Sequence, residues 1–204
     1  MKQFSYLALG DSYTIGEQVL PEENFPNQTV ALLNKAADGS YHIAAPEIIA
    51  TTGWTTDELN TAIDVENITA SYDIVSLLIG VNNQYRGRPV KNFETEFEQL
   101  LQRAIHFANN IPNHVFVLSI PDWGVTPFAE GRDRKKIAAE IDASNVVCKI
   151  AAEKFHTHYI DITTSQRMDG NGNEFLATDK LHPSGKEYAK WATRLATAIK
   201  NVYS

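Results

Sequence analysis

Five short runs of the chain are apolar with almost no polar alternation, at residues 6–9, 48–50, 74–79, 115–118 and 159–162. A strand with one wet face alternates polar and apolar residues, whereas a run apolar throughout suits a strand buried on both faces, so all five read as interior strands. The segments between them keep a helical rhythm instead. The clearest places Phe93, Phe97, Leu100, Leu101, Ala104, Ile105 and Ala108 on one face at i, i+4, i+7, i+8 spacing. A second carries Ile137, Ile141, Cys148, Ala152 and Phe155 inward, and a third Tyr188, Ala192, Leu195, Ala196 and Ile199, each with charged residues opposite. Strand and helix alternate along the chain, which implies a parallel sheet with right-handed crossovers and helices on both faces. The expected fold class is therefore α/β: a three-layer α/β/α sandwich with a five-stranded parallel sheet in the flavodoxin-like order 2-1-3-4-5. In such a sheet a ligand lies beyond the carboxyl ends of the strands, so the loops after each strand are where chemistry belongs. The longest segments without clear periodicity are 10–24, 121–131 and 163–183.

Composition narrows the class. The 204 residues suffice for one sizeable core and are few for two, so a single domain over residues 1–204 is expected. Charged residues at 21% and hydrophobic ones at 43% are the balance of an ordinary globular protein. A net charge of −7 with scattered Lys and Arg argues against nucleic acid and anionic lipid as partners. The apolar run at 74–81 is broken by Ser76 and Gly80 and falls far short of the ~20 residues that span a bilayer. Strand-like sequence begins by Phe4 and candidate chemistry by Gly10, which leaves no stretch with signal-peptide character, so the chain reads as cytoplasmic. The single Cys148 excludes an internal disulfide and a Cys-based zinc site, and its place on an apolar stripe reads as a core thiol.

The strand ends carry four signals, each with an ordinary alternative. After the first strand, Gly10-Asp11-Ser12-Tyr13-Thr14 puts a serine where a nucleophile would stand, although Gly, Asp and Ser are also common turn residues. It is not a Gly-x-Ser-x-Gly elbow, because Thr14 occupies the last position. A serine hydroxyl needs a base with an orienting carboxylate, and Asp179-Lys180-Leu181-His182 after the fifth strand supplies both. Asp179 can hold the imidazole Nδ1–H and leave Nε2 to accept the serine proton. Ser184 and Glu187 have capping-box spacing at the start of the last helix. Donors for an oxyanion are available after the second strand, where Gly53 precedes a second box at Thr55 and Glu58, and after the third, in Gly80-Val81-Asn82-Asn83. Gly53 as a turn glycine and Asn82 as an Asx-turn former are the plain readings. All four signals lie on positions that one shared site would draw upon.

In these blocks the chain resembles the SGNH (GDSL-like) hydrolase family, whose members contribute Ser, Gly, Asn and His in that order; the match runs over nearly the whole chain. Gly10-Asp11-Ser12, Gly53, Gly80-Val81-Asn82 and Asp179-x-x-His182 are the matching positions. The resemblance implies a Ser12, His182 and Asp179 triad, an oxyanion hole from the Ser12 and Gly53 N–H groups and the Asn82 amide, and a covalent acyl-enzyme with no metal and no cofactor. One departure stands out: the family's block usually reads Gly-x-Asn-Asp, and here Asn83 replaces the aspartate.

The expected substrate is a small acyl ester. Trp54, Gln84, Tyr85 and Arg86, with the loop at 121–128 that contains Trp123 and Phe128, form the candidate rim. Asp11, Trp54, Gln84, Tyr85, Trp123 and Phe128 are the candidate substrate-binding residues, although Trp123 and Phe128 could equally pack the loop. No large apolar lid insertion is visible in 204 residues, which favours short acyl groups, acetyl above all. Lysophospholipids and thioesters are the alternatives within the fold. From another class, a flavodoxin-like phosphate or nucleotide module would use Ser12, Thr14 and Gly16 as a cradle. It leaves Asp179, His182 and Asn82 without a role. Asp169-Gly170-Asn171-Gly172-Asn173 begins like a calcium loop but continues with Glu174 in place of the required glycine, so it reads as a turn.

Overall fold

A computed structural model describes residues 2–203. In chain order the strands and α-helices are β1 (Lys2–Phe4), β2 (Tyr6–Asp11), α1 (Ser12–Ile15), α2 (Phe25–Ala37), β3 (Tyr41–Ile43), β4 (Glu47–Thr51), α3 (Thr56–Glu66), β5 (Ile74–Leu78), α4 (Val81–Tyr85), α5 (Val90–Phe107), β6 (Val115–Leu118), α6 (Arg134–Lys154), β7 (His158–Ile160), α7 (Thr163–Asp169) and α8 (Gly185–Tyr203). The main sheet is all parallel in the order β4-β2-β5-β6-β7. Counting only these five strands, that is the expected flavodoxin-like order 2-1-3-4-5. β1 and β3 form a separate two-stranded parallel pair that the apolar runs do not reveal. Three residues each are too few to show a period.

Burial separates the strands. β2, β5 and β6 are buried throughout, while β4 and β7, the two sheet edges, are partly exposed. The expectation of five strands buried on both faces therefore holds only for the inner three, since an edge strand has a neighbour on one side alone. On one side α2 packs against α8; on the other α3 packs on α5 and α5 on α6. The periodic faces point inward as expected, with Phe93, Phe97, Leu100, Leu101, Ile141, Cys148, Leu195 and Ile199 in the core. Burial drives the Cys148 thiol far above the usual range, which keeps it a neutral core group. No helix among the described residues is long and apolar enough to cross a membrane.

Two boundaries differ from expectation. α2 was not evident from periodicity; its start is set by Asn24, whose Oδ1 accepts the Asn27 N–H at 2.9 Å, and by Pro26 in the first turn. At α8 the expected Ser184–Glu187 box does not form. The Ser184 hydroxyl donates to the Glu174 carbonyl, and Glu187 turns into the core, where Oε1 accepts the Trp191 indole N–H at 3.0 Å and Lys190 lies 2.9 Å from Oε2. The Thr55–Glu58 spacing does what it implies, with Glu58 accepting the Thr55 N–H at 2.9 Å.

Candidate active site

β2 lies between β4 and β5 in the sheet, and its last residue, Asp11, caps α1. In an extended conformation, Asp11 accepts the Tyr13 N–H on Oδ1 at 3.0 Å. After four residues Gly16 adopts a left-handed conformation and its N–H returns to the Ser12 carbonyl at 3.1 Å, which ends the helix. Ser12 is thus held at a tight strand-to-helix turn. The Asp11 carboxyl lies behind that turn, 1% exposed, and burial pushes it up to about 7 against the pull of the Tyr13 N–H. Thr14 is fully buried and its hydroxyl has no partner, so the phosphate cradle of Ser12, Thr14 and Gly16 does not exist.

Ser12 Oγ lies 3.0 Å from His182 Nε2, across 170 residues of sequence. On the other side of the ring, Nδ1 is 2.6 Å from Asp179 Oδ2. Asp179 Oδ1 accepts the N–H groups of Leu181 and His182, each at 3.0 Å, so its second oxygen fixes the turn while the first holds the imidazole. Partial burial works to raise the Asp179 carboxyl, but these hydrogen bonds outweigh it and hold the group below the usual aspartate range. The turn takes Lys180 into left-handed backbone at φ +60°, a conformation that side-chain-bearing residues rarely adopt. Behind the imidazole, the Tyr13 ring sits 5.1 Å from it and stacks in turn on the buried Trp191 of α8.

The loops after β4 and β5 bring two more donors to the same place. Gly53 takes φ +86°, which a side-chain-bearing residue adopts only with strain. Neither its N–H nor that of Ser12 is bonded in the turns and caps around it. Gly80, at φ +128°, precedes α4, and a Cβ there would meet Phe93 and Ile120 at 2.6 and 2.7 Å, so only glycine fits. One hydrogen of the Asn82 amide goes to the Trp54 carbonyl at 3.0 Å, leaving its other hydrogen for a ligand. The family's usual aspartate is absent at Asn83 for a visible reason. Asn83 Oδ1 accepts the Thr56 N–H at 3.1 Å and Nδ2 donates to the Thr56 hydroxyl at 2.7 Å, while that hydroxyl donates to Glu96. An aspartate would have no proton to give to Thr56 and would add a second carboxylate beside Glu96.

Ser12, Gly53, Asn82 and His182 open onto one cleft of about 230 Å³, with Tyr13, Val81, Tyr85, Trp123, Phe128 and Leu181 as its apolar wall and Thr52 at one side. Tyr85, Trp123 and Phe128 therefore stand where the sequence placed them. Three other candidate substrate-binding residues do not line it. Asp11 is behind the Ser12 turn; Trp54 packs against the core and meets the site only through its carbonyl. Gln84 bridges Trp123 Nε1, which donates to its Oε1 at 2.7 Å, and Glu140, so it holds the wall in place instead of forming it. Arg86 likewise ties the Gly53 carbonyl to Glu58. The wall residues missed from sequence, Tyr13, Thr52, Val81 and Leu181, are each the immediate neighbour of one of the four block residues, and that adjacency was the signal available.

The sequence model of the GDSL-like lipase/acylhydrolase family matches residues 8–190. The chain belongs to this family. No curated protein matches it. Among solved structures, the GDSL-like chain is similar to TesA at 17% identity, covering 97% of this chain and 99% of that one with a TM-score of 0.71. A lipase/acylhydrolase from Enterococcus faecalis matches at 20% identity, 98% and 96% coverage and TM-score 0.68. An acetyl xylan esterase from Geobacillus stearothermophilus, Axe2, matches at 18% identity, 96% and 94% coverage and TM-score 0.68. At these identities the likeness establishes the shared fold. Family membership leaves the phosphate-binding alternative without support.

Proposed function

We propose that the chain, acting as one catalytic domain, is a serine esterase that cleaves short-chain acyl esters, acetyl esters above all, through a covalent acyl-enzyme. The observation that carries this is the pair of contacts on one imidazole, 3.0 Å from Nε2 to Ser12 Oγ and 2.6 Å from Nδ1 to Asp179. Asp179 holds the tautomer that leaves Nε2 as acceptor. As Ser12 Oγ attacks the carbonyl carbon, His182 takes its proton. The oxyanion meets the Ser12 and Gly53 N–H groups and the Asn82 amide, which are in place before charge develops. His182 then gives the proton to the departing alcohol oxygen. Water repeats the sequence on the acyl-enzyme, releasing the acid and restoring Ser12.

Size supports a short acyl group. A cleft of about 230 Å³ is smaller than the roughly 300–1,000 Å³ of pockets that enclose drug-sized ligands. Its aromatic wall is fixed through Gln84, which leaves little give for a long chain. The test is hydrolysis of para-nitrophenyl esters of increasing acyl length by the wild type and Ser12→Ala. Turnover that falls with length and vanishes in the variant supports the reading. A maximum at long chains would move it to the lysophospholipase or thioesterase alternative, and equal near-background rates in both proteins would remove Ser12 as nucleophile.

A further inference from the structure

The aromatic end of the cleft carries a charge that the esterase chemistry does not use. Tyr85, Trp123 and Phe128 form a three-ring cluster with centroids 5.3, 6.0 and 6.5 Å apart. Over it lies the Arg132 guanidinium, 5.3 Å from the Tyr85 ring, 5.4 Å from Trp123 and 5.9 Å from Phe128, with Nη2 donating to the Tyr85 hydroxyl at 3.3 Å. Tyr85 and Trp123 are shared between the catalytic cleft and an adjoining open groove of about 380 Å³ that includes Arg132.

Arg132 has no counter-charge, unlike Arg86, Arg88 and Lys136. Arg86 pairs with Glu58 at 3.1 Å, Arg88 with Asp57, Lys136 lies 3.8 Å from Glu140, and Arg134 donates to the Gly124 carbonyl. Asp133, next to Arg132, is engaged in capping α6 through the Lys136 N–H. Among the described residues no carboxylate lies within ion-pair distance of Arg132. A guanidinium has five N–H donors in a planar fork matched to carboxylate and phosphate, and here one of them is used within the protein. Three rings hold that fork in place, so less conformational freedom is lost when it binds. The protein as a whole, at net −7, repels anions. An unneutralised cation at the cleft mouth offsets that repulsion locally.

We propose that Arg132 makes this end of the cleft a recognition site for an anionic group, carboxylate or phosphate, carried on the alcohol part of the ester. The proposal rests on the short-chain esterase reading, since an acetyl group has no room for a charge and the alcohol part must then supply it. The experiment compares kcat/KM for para-acetoxybenzoate with that for its neutral analogue para-acetoxybenzamide, in the wild type, Arg132→Met and Arg132→Lys. para-Acetoxyphenyl phosphate as a third ester separates phosphate from carboxylate recognition. Comparing the anionic-to-neutral ratio between the proteins cancels the intrinsic reactivity of the esters. The ratio is expected to fall about three- to tenfold in Arg132→Met, to be largely kept in Arg132→Lys, and to shrink in the wild type at high salt. An unchanged ratio for both anionic esters, or an equal loss on charged and neutral esters, overturns the proposal while leaving the esterase intact. A wild type that cleaves none of the three sinks the esterase reading and this proposal with it, a pattern distinct from either of the others.

Discussion

Asp11→Asn should make the protein more stable at alkaline pH than the wild type, by an amount that disappears in acid. The Asp11 carboxyl is 1% exposed and burial raises it from the ordinary 3.8 to about 7. The folded chain therefore holds this proton more tightly than the unfolded one. Its contribution to stability is fully present below pH 3.8, is lost progressively as pH rises, and is gone above about 7. A rise of about three units at ~1.4 kcal/mol each is on the order of 4 kcal/mol, of which about 3 falls between pH 5 and pH 8. Asparagine keeps the oxygen that accepts the Tyr13 N–H and carries no charge to bury. In a protein of this length each kcal/mol moves the melting point by roughly 2–4 °C. Thermal and urea unfolding of both proteins at pH 5 and pH 8 isolates the effect as a difference of differences, in which every other titrating group cancels. The variant should gain roughly 5–10 °C on the wild type between the two pH values. A gap that stays constant within about 1 °C would refute the reasoning and mean that the buried carboxyl ionises without strain.

Three further outcomes are expected. Asp179→Asn should lower kcat on para-nitrophenyl acetate by on the order of 10³–10⁴-fold yet leave measurable turnover, because the imidazole stays in place in the wrong tautomer; a loss under tenfold would remove Asp179 as its orienting partner. Asn82→Ala should lower kcat by ~10²–10³-fold with little change in KM, as expected of a donor that acts on the oxyanion and not on the bound ester. A normal rate takes the amide out of the site. Asn83→Asp, which restores the residue usual in the family, should destabilise the chain by about 1–3 kcal/mol in urea unfolding, since the Thr56 hydroxyl already donates to Glu96 and the amide donor is lost; equal stability would show that the Thr56 network can reverse its protons freely.

Alternation of apolar runs and helical stripes was enough to define the five-stranded parallel sheet and its helical layers, though not α2 or the β1–β3 pair. Uninterrupted apolar runs name buried strands, and the handedness of strand–helix–strand crossovers then sends every strand end to one edge of the sheet. That is why Ser12, Gly53, Asn82 and His182 were legible as one group before any distance was known. Directions of side chains were not legible in the same way. Asp11 and Ser12 are adjacent, yet one lies behind the turn and the other opens on the cleft, and Gln84 and Tyr85 divide likewise between support and wall. Ser184 and Glu187 have the spacing of a cap, but Trp191 and Lys190 offer the carboxylate better partners. Spacing is a local property and reports which elements form. Which atom faces which, including the 3.0 Å approach of two groups 170 residues apart and the Arg132 charge resting on three rings, is decided when the layers pack and most buried polar groups find partners.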